Sequence, residues 1–357
     1  MSAGRGAGGG AGVGPGPGAG LRGHGRAWAE LLRLPALLTV PGDALAGAAS
    51  TGSRPTRGTL LAVGASLSLY AAGMALNDWA DRHEDARDRP HRPLPSGRVR
   101  PAHALAAAGA LTASGLALAF RADRRTGALA TALAATVWAY DLRLKSTVAG
   151  PAAMGAARGL DLLMGASAST PTPASTRMGA LGPALTAATT LATHTTAITT
   201  VSRTETQGGS TAAPLTALAT GAAIAASLLA TRARGPFPEP VRTTRAWGPP
   251  PERTGVLPAL PPHGSRPRPA RRPAERAAPL AVLLPATAYA TTVLRPLLHA
   301  ALNPSPPLTQ RAVGAGIRGL VPLQAALAAR SGAPATALAT LALVPPARRF
   351  AKKVSVT

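Results

Sequence analysis

Five of the chain's fourteen acidic residues fall between Asp78 and Asp88, and their spacing is regular. Asn77, Asp81 and Asp85 stand four apart, with Asp78 three before Asp81. On a helix these side chains share one face for about two turns. Clustered oxygen donors suit Mg²⁺, which binds through one or two carboxylates, keeps several waters and takes up substrate phosphates. Arg89 and Arg92 follow, with fork-shaped donors matched to phosphate oxygens. Pro93-Leu94-Pro95-Ser96-Gly97 then turns the chain. The acids sit at the end of an apolar run, Leu60 to Leu76, where uncompensated carboxylates are costly. A divalent metal and a diphosphate would account for both the acids and the arginines. A solvated loop of mutually neutralising charges is the alternative.

Such a cluster needs a frame, and the composition describes one. Of 357 residues, 46% are hydrophobic and 15% charged, with mean hydropathy +0.14. That is too apolar and charge-poor for an ordinary soluble chain of this length. Met178 to Ser202 carries no charge, and Thr204 to Thr231 only Glu205. Uncharged runs of about 20 residues read as membrane-spanning helices. The runs are rich in Ala, Gly and Thr, small residues that let helices approach closely in lipid. Net charge is +24. The arginines lie in loops and tails between apolar runs, and aromatics make up 3%, so no nucleic-acid partner is expected. With no cysteine there is neither a disulfide framework nor a thiolate metal site.

The fold class is therefore all-α, a polytopic membrane bundle of about nine transmembrane helices. Expected spans are 27–49 (bent at Pro35 and Pro41), 58–77, 101–120, 126–140, 148–166, 178–201, 210–231 and 279–302. A final stretch, 311–350, divides near Ser331-Gly332. Residues 1–26 read as a disordered Gly/Ala/Pro-rich tail and 27–231 as helices one to seven. Residues 232–277 read as a disordered Pro/Arg-rich linker, 278–350 as the remaining helices and 351–357 as a basic tail. By parity the loops after helices two, four and six share one side with the N-terminal tail. Their basic residues, with Arg22, Arg26 and Arg33, assign that side to the cytoplasm of a multi-pass cell-membrane protein. Trp79, Trp138 and Tyr140 gather near the same face, while the linker's ten arginines face outward by the same parity.

The acidic string resembles the first Asp-rich motif of the UbiA superfamily of intramembrane prenyltransferases, Asn-Asp-x-x-Asp-x-x-x-Asp followed by Arg-Pro-Leu-x-Ser-Gly. Asn77, Asp78, Asp81 and Asp85 match it position for position, as do Arg92, Pro93, Leu94, Ser96 and Gly97. Tyr140 and Lys145 are similar to that family's Tyr-x-x-x-x-Lys loop, and Gly155, Arg158, Gly159 and Gly165 share the look of its fifth helix. The resemblance covers roughly Ala27 to Gly209. It implies a helical bundle around a central cavity, Mg²⁺ as cofactor, an isoprenyl diphosphate donor and a small acceptor. It further implies Asn77, Asp78, Asp81 and Asp85 as metal ligands, with Arg89, Arg92, Arg143, Lys145 and Arg203 on the diphosphate. The reaction implied is ionisation of the donor to an allylic cation that alkylates the acceptor. A water-excluding interior would protect that cation.

The family's second motif, Asp-x-x-x-Asp after helix six, is replaced here by Ser202 and Thr206, with Glu205 as the segment's one carboxylate. Glu205 is a metal-ligand candidate, with a surface pair to Arg203 as the alternative. Arg158 and Asp161, three apart in helix five, can pair on one face. His194 lines the cavity or is a hydrogen-bonded core histidine, and Asp43 faces the cavity or caps the broken first helix. Arg295 and His299 are weaker signals. The reading is a Mg²⁺-dependent membrane prenyltransferase. The alternatives are a non-catalytic relative that binds or transports a lipid-linked metabolite, a class I terpene cyclase, and a basic nucleic-acid-associated membrane protein.

Overall fold

The computed structural model describes residues 17–33, 37, 39–169, 174–204, 210–230 and 273–343. Every regular element among them is helical. In order these are α1 (Pro17–Leu31), α2 (Pro41–Ser50), α3 (Arg57–Ala80), α4 (Arg82–Asp88), α5 (Pro101–Ala122), α6 (Arg124–Ala139), a π turn (Tyr140–Leu144), α7 (Gly150–Ala168), α8 (Ala174–Ser202), α9 (Ala212–Ala230), α10 (Pro273–Leu302), α11 (Pro306–Arg330) and α12 (Pro334–Leu341).

Local chemistry sets the boundaries. Proline, whose fixed φ suits the first turn, opens α2, α5, α11 and α12. Thr56 caps α3 reciprocally with Thr59, and the Asp123 carboxylate caps α6 by accepting from the backbone N–H groups of Arg125 (2.8 Å) and Thr126 (3.0 Å). Gly332 at φ +80° stops α11, at the division expected from the sequence. Many helical threonines return their hydroxyls to the preceding turn, as Thr131 does to Gly127 O (2.9 Å) and Thr190 to Thr186 O (2.8 Å), which satisfies a donor that lipid cannot.

Among the described residues, five helices are long and apolar enough to cross a membrane: α3, α5, α9, residues 281–302 of α10, and α11. The count of nine is not reached on this criterion. The 16 residues of α6 fall short of a bilayer's width, and α7 carries Arg158 and Asp161. The expected first helix, 27–49, is two separate elements, α1 ending at Leu31 and α2 beginning at Pro41, while Pro35, the expected bend, lies outside the described residues. The segment expected to be a disordered tail contains most of α1, whose Ala27 and Leu31 are buried. The α10 helix begins at Pro273, inside the expected linker. Residues 231–272 and 344–357 lie outside those described.

Among the described residues four apolar clusters build the bundle, the smallest (Ala49, Ala325, Ala328, Ala329 and Ala337) joining α2, α11 and α12. Leu191, Val201, Leu228, Tyr289, Leu297 and Leu323 join α8, α9, α10 and α11. Leu69, Ala119, Leu133 and Met164 join α3, α5, α6 and α7. Ala27, Leu31, Leu76, Leu94 and Val99, with Trp28, Trp79 and Trp138 against them, close the end where α3 stops. Small residues bring α2 and α7 together: a Cβ on Gly165 would stand 2.4 Å from the backbone of Ala44. Two contacts draw three turns to the α3 end. Lys145, after the π turn, pairs with Asp81, and Arg203, after α8, donates to the carbonyls of Ser146 (3.3 Å) and Thr147. These turns follow the expected helices two, four and six.

Candidate active site at the end of the α3 helix

The acidic motif straddles a helix break. The α3 helix ends at Ala80, Asp81 takes φ −86° and ψ 2°, and α4 resumes at Arg82. The i to i−4 backbone ladder nevertheless passes through the break. Asp81 N donates to Asn77 O (2.9 Å), Asp85 N to Asp81 O (2.8 Å) and Arg89 N to Asp85 O (2.8 Å). The four-residue spacing thus gives one face, as the sequence implied.

Each motif acid is held by a cation of this chain. Asp78 is buried and meets Arg33 Nη2 at 3.2 Å and Arg92 Nη1 at 3.8 Å. Asp85, 2% exposed, accepts from Arg92 at 2.6 Å and faces Arg89 at 3.6 Å. Arg92 therefore bridges two carboxylates seven residues apart, while Lys145 pairs with Asp81. Asn77 donates its amide to the buried Asp141 at 3.2 Å, which commits its nitrogen and not its Oδ1. Burial pushes the Asp141 carboxyl up to about 7, and Asp81 adds to the rise, against the Asn77 hydrogen bond and the Lys145 charge.

The loop after α4 fixes Arg92. Ser96 Oγ donates to Arg92 O (2.6 Å), Val99 N to Pro93 O (3.0 Å), and Leu94 is buried. Gly97 sits at φ +74°, a conformation that suits a residue with no Cβ. Arg98 then binds Glu30 through two nitrogens, at 2.7 and 3.2 Å, and His91 O at 2.6 Å, tying the loop to α1.

Two expected site residues stand apart. Arg143 is exposed on the π turn and has no partner among the described residues, and Arg203 spends its donors on carbonyls of the Lys145 loop. Glu205 lies outside the described residues. Arg33 and Asp141 join the cluster without having been singled out for it. Arg33 reads in sequence as one more interfacial arginine, although its left-handed backbone (φ 48°) aims it at Asp78. Asp141 signals itself only through the π turn, where Lys145 N reaches Tyr140 O (2.9 Å).

Deeper in the bundle, Arg158 does not pair with Asp161 as the spacing allowed. It pairs with Asp43 of α2, which also accepts from Gln324 (2.6 Å), and Asp161 accepts from Ser66. Asp43 thus caps no helix end. His194 is a core histidine held by the Tyr289 hydroxyl (3.0 Å) and Gly316 O (3.0 Å).

The donor set at the α3 end is all oxygen, which fits Mg²⁺ and no soft metal. Among the described residues no three acids or histidines converge to hold an ion alone.

The chain is 37% identical over 127 residues to a digeranylgeranylglyceryl phosphate synthase of Methanopyrus kandleri, covering 34% of this chain and 45% of that one. It is 42% identical over 98 residues to the bacteriochlorophyll synthase 33 kDa chain of Rhodobacter capsulatus, covering 26% and 32%. The chain thus matches half or less of the length of these curated relatives. A UbiA homolog from Aeropyrum pernix K1 shares its fold, with TM-score 0.55 at 17% identity over 82% of this chain and 96% of that one. The model of the UbiA prenyltransferase family matches residues 36–232, more than half of the chain, and the protein belongs to that family.

Proposed function

We propose that the protein is a membrane-embedded prenyltransferase that moves an isoprenyl group from an isoprenyl diphosphate to a small acceptor. The observation that carries this reading is the α3 end itself. Three carboxylates and at least three cations are concentrated at one mouth of an apolar bundle. Paired with one another they do no chemistry, but a diphosphate with a divalent metal matches both signs at once. Asn77, Asp78, Asp81 and Asp85 would hold Mg²⁺, with Glu205 as a further candidate ligand. When bound, the ion neutralises charge on the departing diphosphate.

The chain's own residues supply the rest. Arg92, Arg89 and Lys145 donate to diphosphate oxygens; Arg203 would join them only by giving up the carbonyls of Ser146 and Thr147, and Arg143 only by swinging in from the exposed face of the π turn. Arg33, already on Asp78, is placed to join them. The allylic C–O bond breaks with its electron pair leaving on the diphosphate, and donors aimed at those oxygens stabilise the charge as it develops. The acceptor's nucleophilic atom attacks the cation and then loses its proton. The apolar interior that α3, α5, α6 and α7 share beneath this end would keep water from the cation. In this reading the bundle spans the cell membrane about nine times, with the α3 end on the cytoplasmic side. The relatives' names support transfer of a prenyl group and leave the acceptor open.

A second reading is a UbiA-type protein that binds or carries a lipid-linked metabolite without turnover. Ser202 and Thr206 in place of the second aspartate pair favour it. Pyrophosphate release by detergent-purified protein, from a panel of isoprenyl diphosphates with and without Mg²⁺, separates the two. Donor-specific release abolished by EDTA and by Asp81→Asn is expected. Saturable donor binding without release under any acceptor tested would favour the carrier.

A further inference from the structure

From Ala277 to Thr357 the chain contains no acidic residue, yet it carries arginines throughout the last helical hairpin. The α10 helix ends at Leu302 and α11 begins at Pro306, so a three-residue turn joins two helices apolar enough to span. Arg295 and His299, one turn apart on α10, and Arg311, on the second turn of α11, line one cleft of about 130 Å³ with Pro296 and Leu308. All three basic side chains are exposed, and none has an ion-pair or hydrogen-bond partner among the described residues. Arg318, seven residues beyond Arg311 and so on nearly the same face, lies with its guanidinium 3.2 Å from the position of a Cβ on Gly314, reaching back toward the turn.

Arg295 stands seven residues inside the end of α10, about 10 Å along the axis at 1.5 Å per residue. With the α10–α11 turn at the membrane surface, that would be head-group and glycerol depth rather than bulk water. Exposed Leu298, Leu302 and Ile317 flank the basic residues with apolar surface. The cleft's own wall is almost wholly carbon, formed by the stems of these side chains with Pro296 and Leu308, and the three basic groups stand exposed beside it with no carboxylate partner among the described residues. A soluble anion would use only the basic groups. A basic pocket between transmembrane helices is a recognised setting for acidic lipid head groups. We infer that the α10–α11 turn binds the phosphate head group of an anionic membrane lipid, through Arg295, His299 and Arg311. The site is separate from the acidic motif and does not depend on the proposed reaction.

Native mass spectrometry of the full detergent-purified chain tests this, titrated with dioleoyl phosphatidylglycerol or dioleoyl phosphatidylcholine. Phosphatidylglycerol is expected to be retained at concentrations where phosphatidylcholine is not. Neutralising one arginine (Arg295→Gln or Arg311→Gln) should weaken retention about fivefold, and the double variant roughly thirtyfold. Arg125→Gln, on an exposed helix start elsewhere, should change nothing. Thermal unfolding of each variant controls for folding, and the single variants suffice if the double does not fold. Equal retention of the two lipids, or retention unchanged in the variants, would overturn the inference. Full displacement of phosphatidylglycerol by an equal concentration of inorganic phosphate would also overturn it, assigning the cleft to a soluble anion.

Discussion

Lys145 pairs with Asp81 across 64 residues of sequence, joining the π turn after α6 to the break between α3 and α4. Each is about a quarter exposed, so the pair contributes modestly to stability while concentrating charge where a diphosphate would enter. Removing either partner should lower kcat/KM by about 10²–10³ if each stabilises the leaving group. Exchanging them, Asp81→Lys with Lys145→Asp, separates pairing from chemistry. The exchanged protein should unfold near the wild-type temperature and release no pyrophosphate. Turnover near wild type in the exchanged protein would show that the pair only holds the turns together.

Arg92 bridges Asp78 and Asp85, both almost fully buried. Arg92→Gln leaves those carboxylates short of a cation and should cost about 3 kcal/mol, at the lower end for breaking a buried pair. If the same carboxylates bind Mg²⁺, the ion will replace part of the lost charge. Mg²⁺ should then raise the unfolding temperature of Arg92→Gln more than that of wild type. Differential scanning fluorimetry with Mg²⁺, and with K⁺ at matched ionic strength, reads the difference. Equal stabilisation by Mg²⁺ in both proteins would separate the metal from Asp78 and Asp85.

Much of this site is legible in sequence because it is local. Asn77, Asp81, Asp85 and Arg89 lie on one i to i−4 ladder, so spacing alone places them together even across the break at Asp81. What spacing leaves out is long-range. Arg33, just past the end of α1, reaches Asp78 across 45 residues of sequence, and Asp141 reaches Asn77 across 64, from the π turn that ends α6. The same limit explains Arg158. Three residues of separation permit a pair with Asp161, but packing through Gly165 and Ala44 brings Asp43 to it instead. The first ten residues of α1, 17–26, read as coil for another reason: all four of its glycines lie there, and the helix is anchored by the following turn, expected as helix, where Ala27, Leu31 and partly buried Trp28 pack against Leu76 and Leu94.

The Asp43–Arg158 pair lies in the bundle interior, with Asp43 fully buried. Arg158→Met strands a carboxylate there and should destabilise by about 3–5 kcal/mol. Asp43→Asn together with Arg158→Met removes both charges and should recover a large part of that loss, since the stranded charge is the main cost. A double-mutant cycle by thermal unfolding in detergent measures the coupling. Additive effects would mean that neither charge senses the other.

The α2–α7 crossing depends on two residues with no side chain to accommodate. A Cβ on Gly165 would sit 2.4 Å from Ala44, and one on Gly47 would sit 2.0 Å from the Leu162 carbonyl. Both neighbours are backbone, which cannot rotate away as a side-chain tip could, so the helices must separate. Gly165→Ala should therefore cost about 1–3 kcal/mol, as overpacking does, and carry Asp43 away from Arg158. Gly109→Ala is the matched control. It lies within α5, where a Cβ meets nothing within 4 Å, and alanine's better helix propensity should stabilise by up to about 1 kcal/mol. Thermal unfolding of the two variants side by side should move in opposite directions. A shift of the same sign and size in both would mean that glycine at the crossing serves helix propensity rather than close approach.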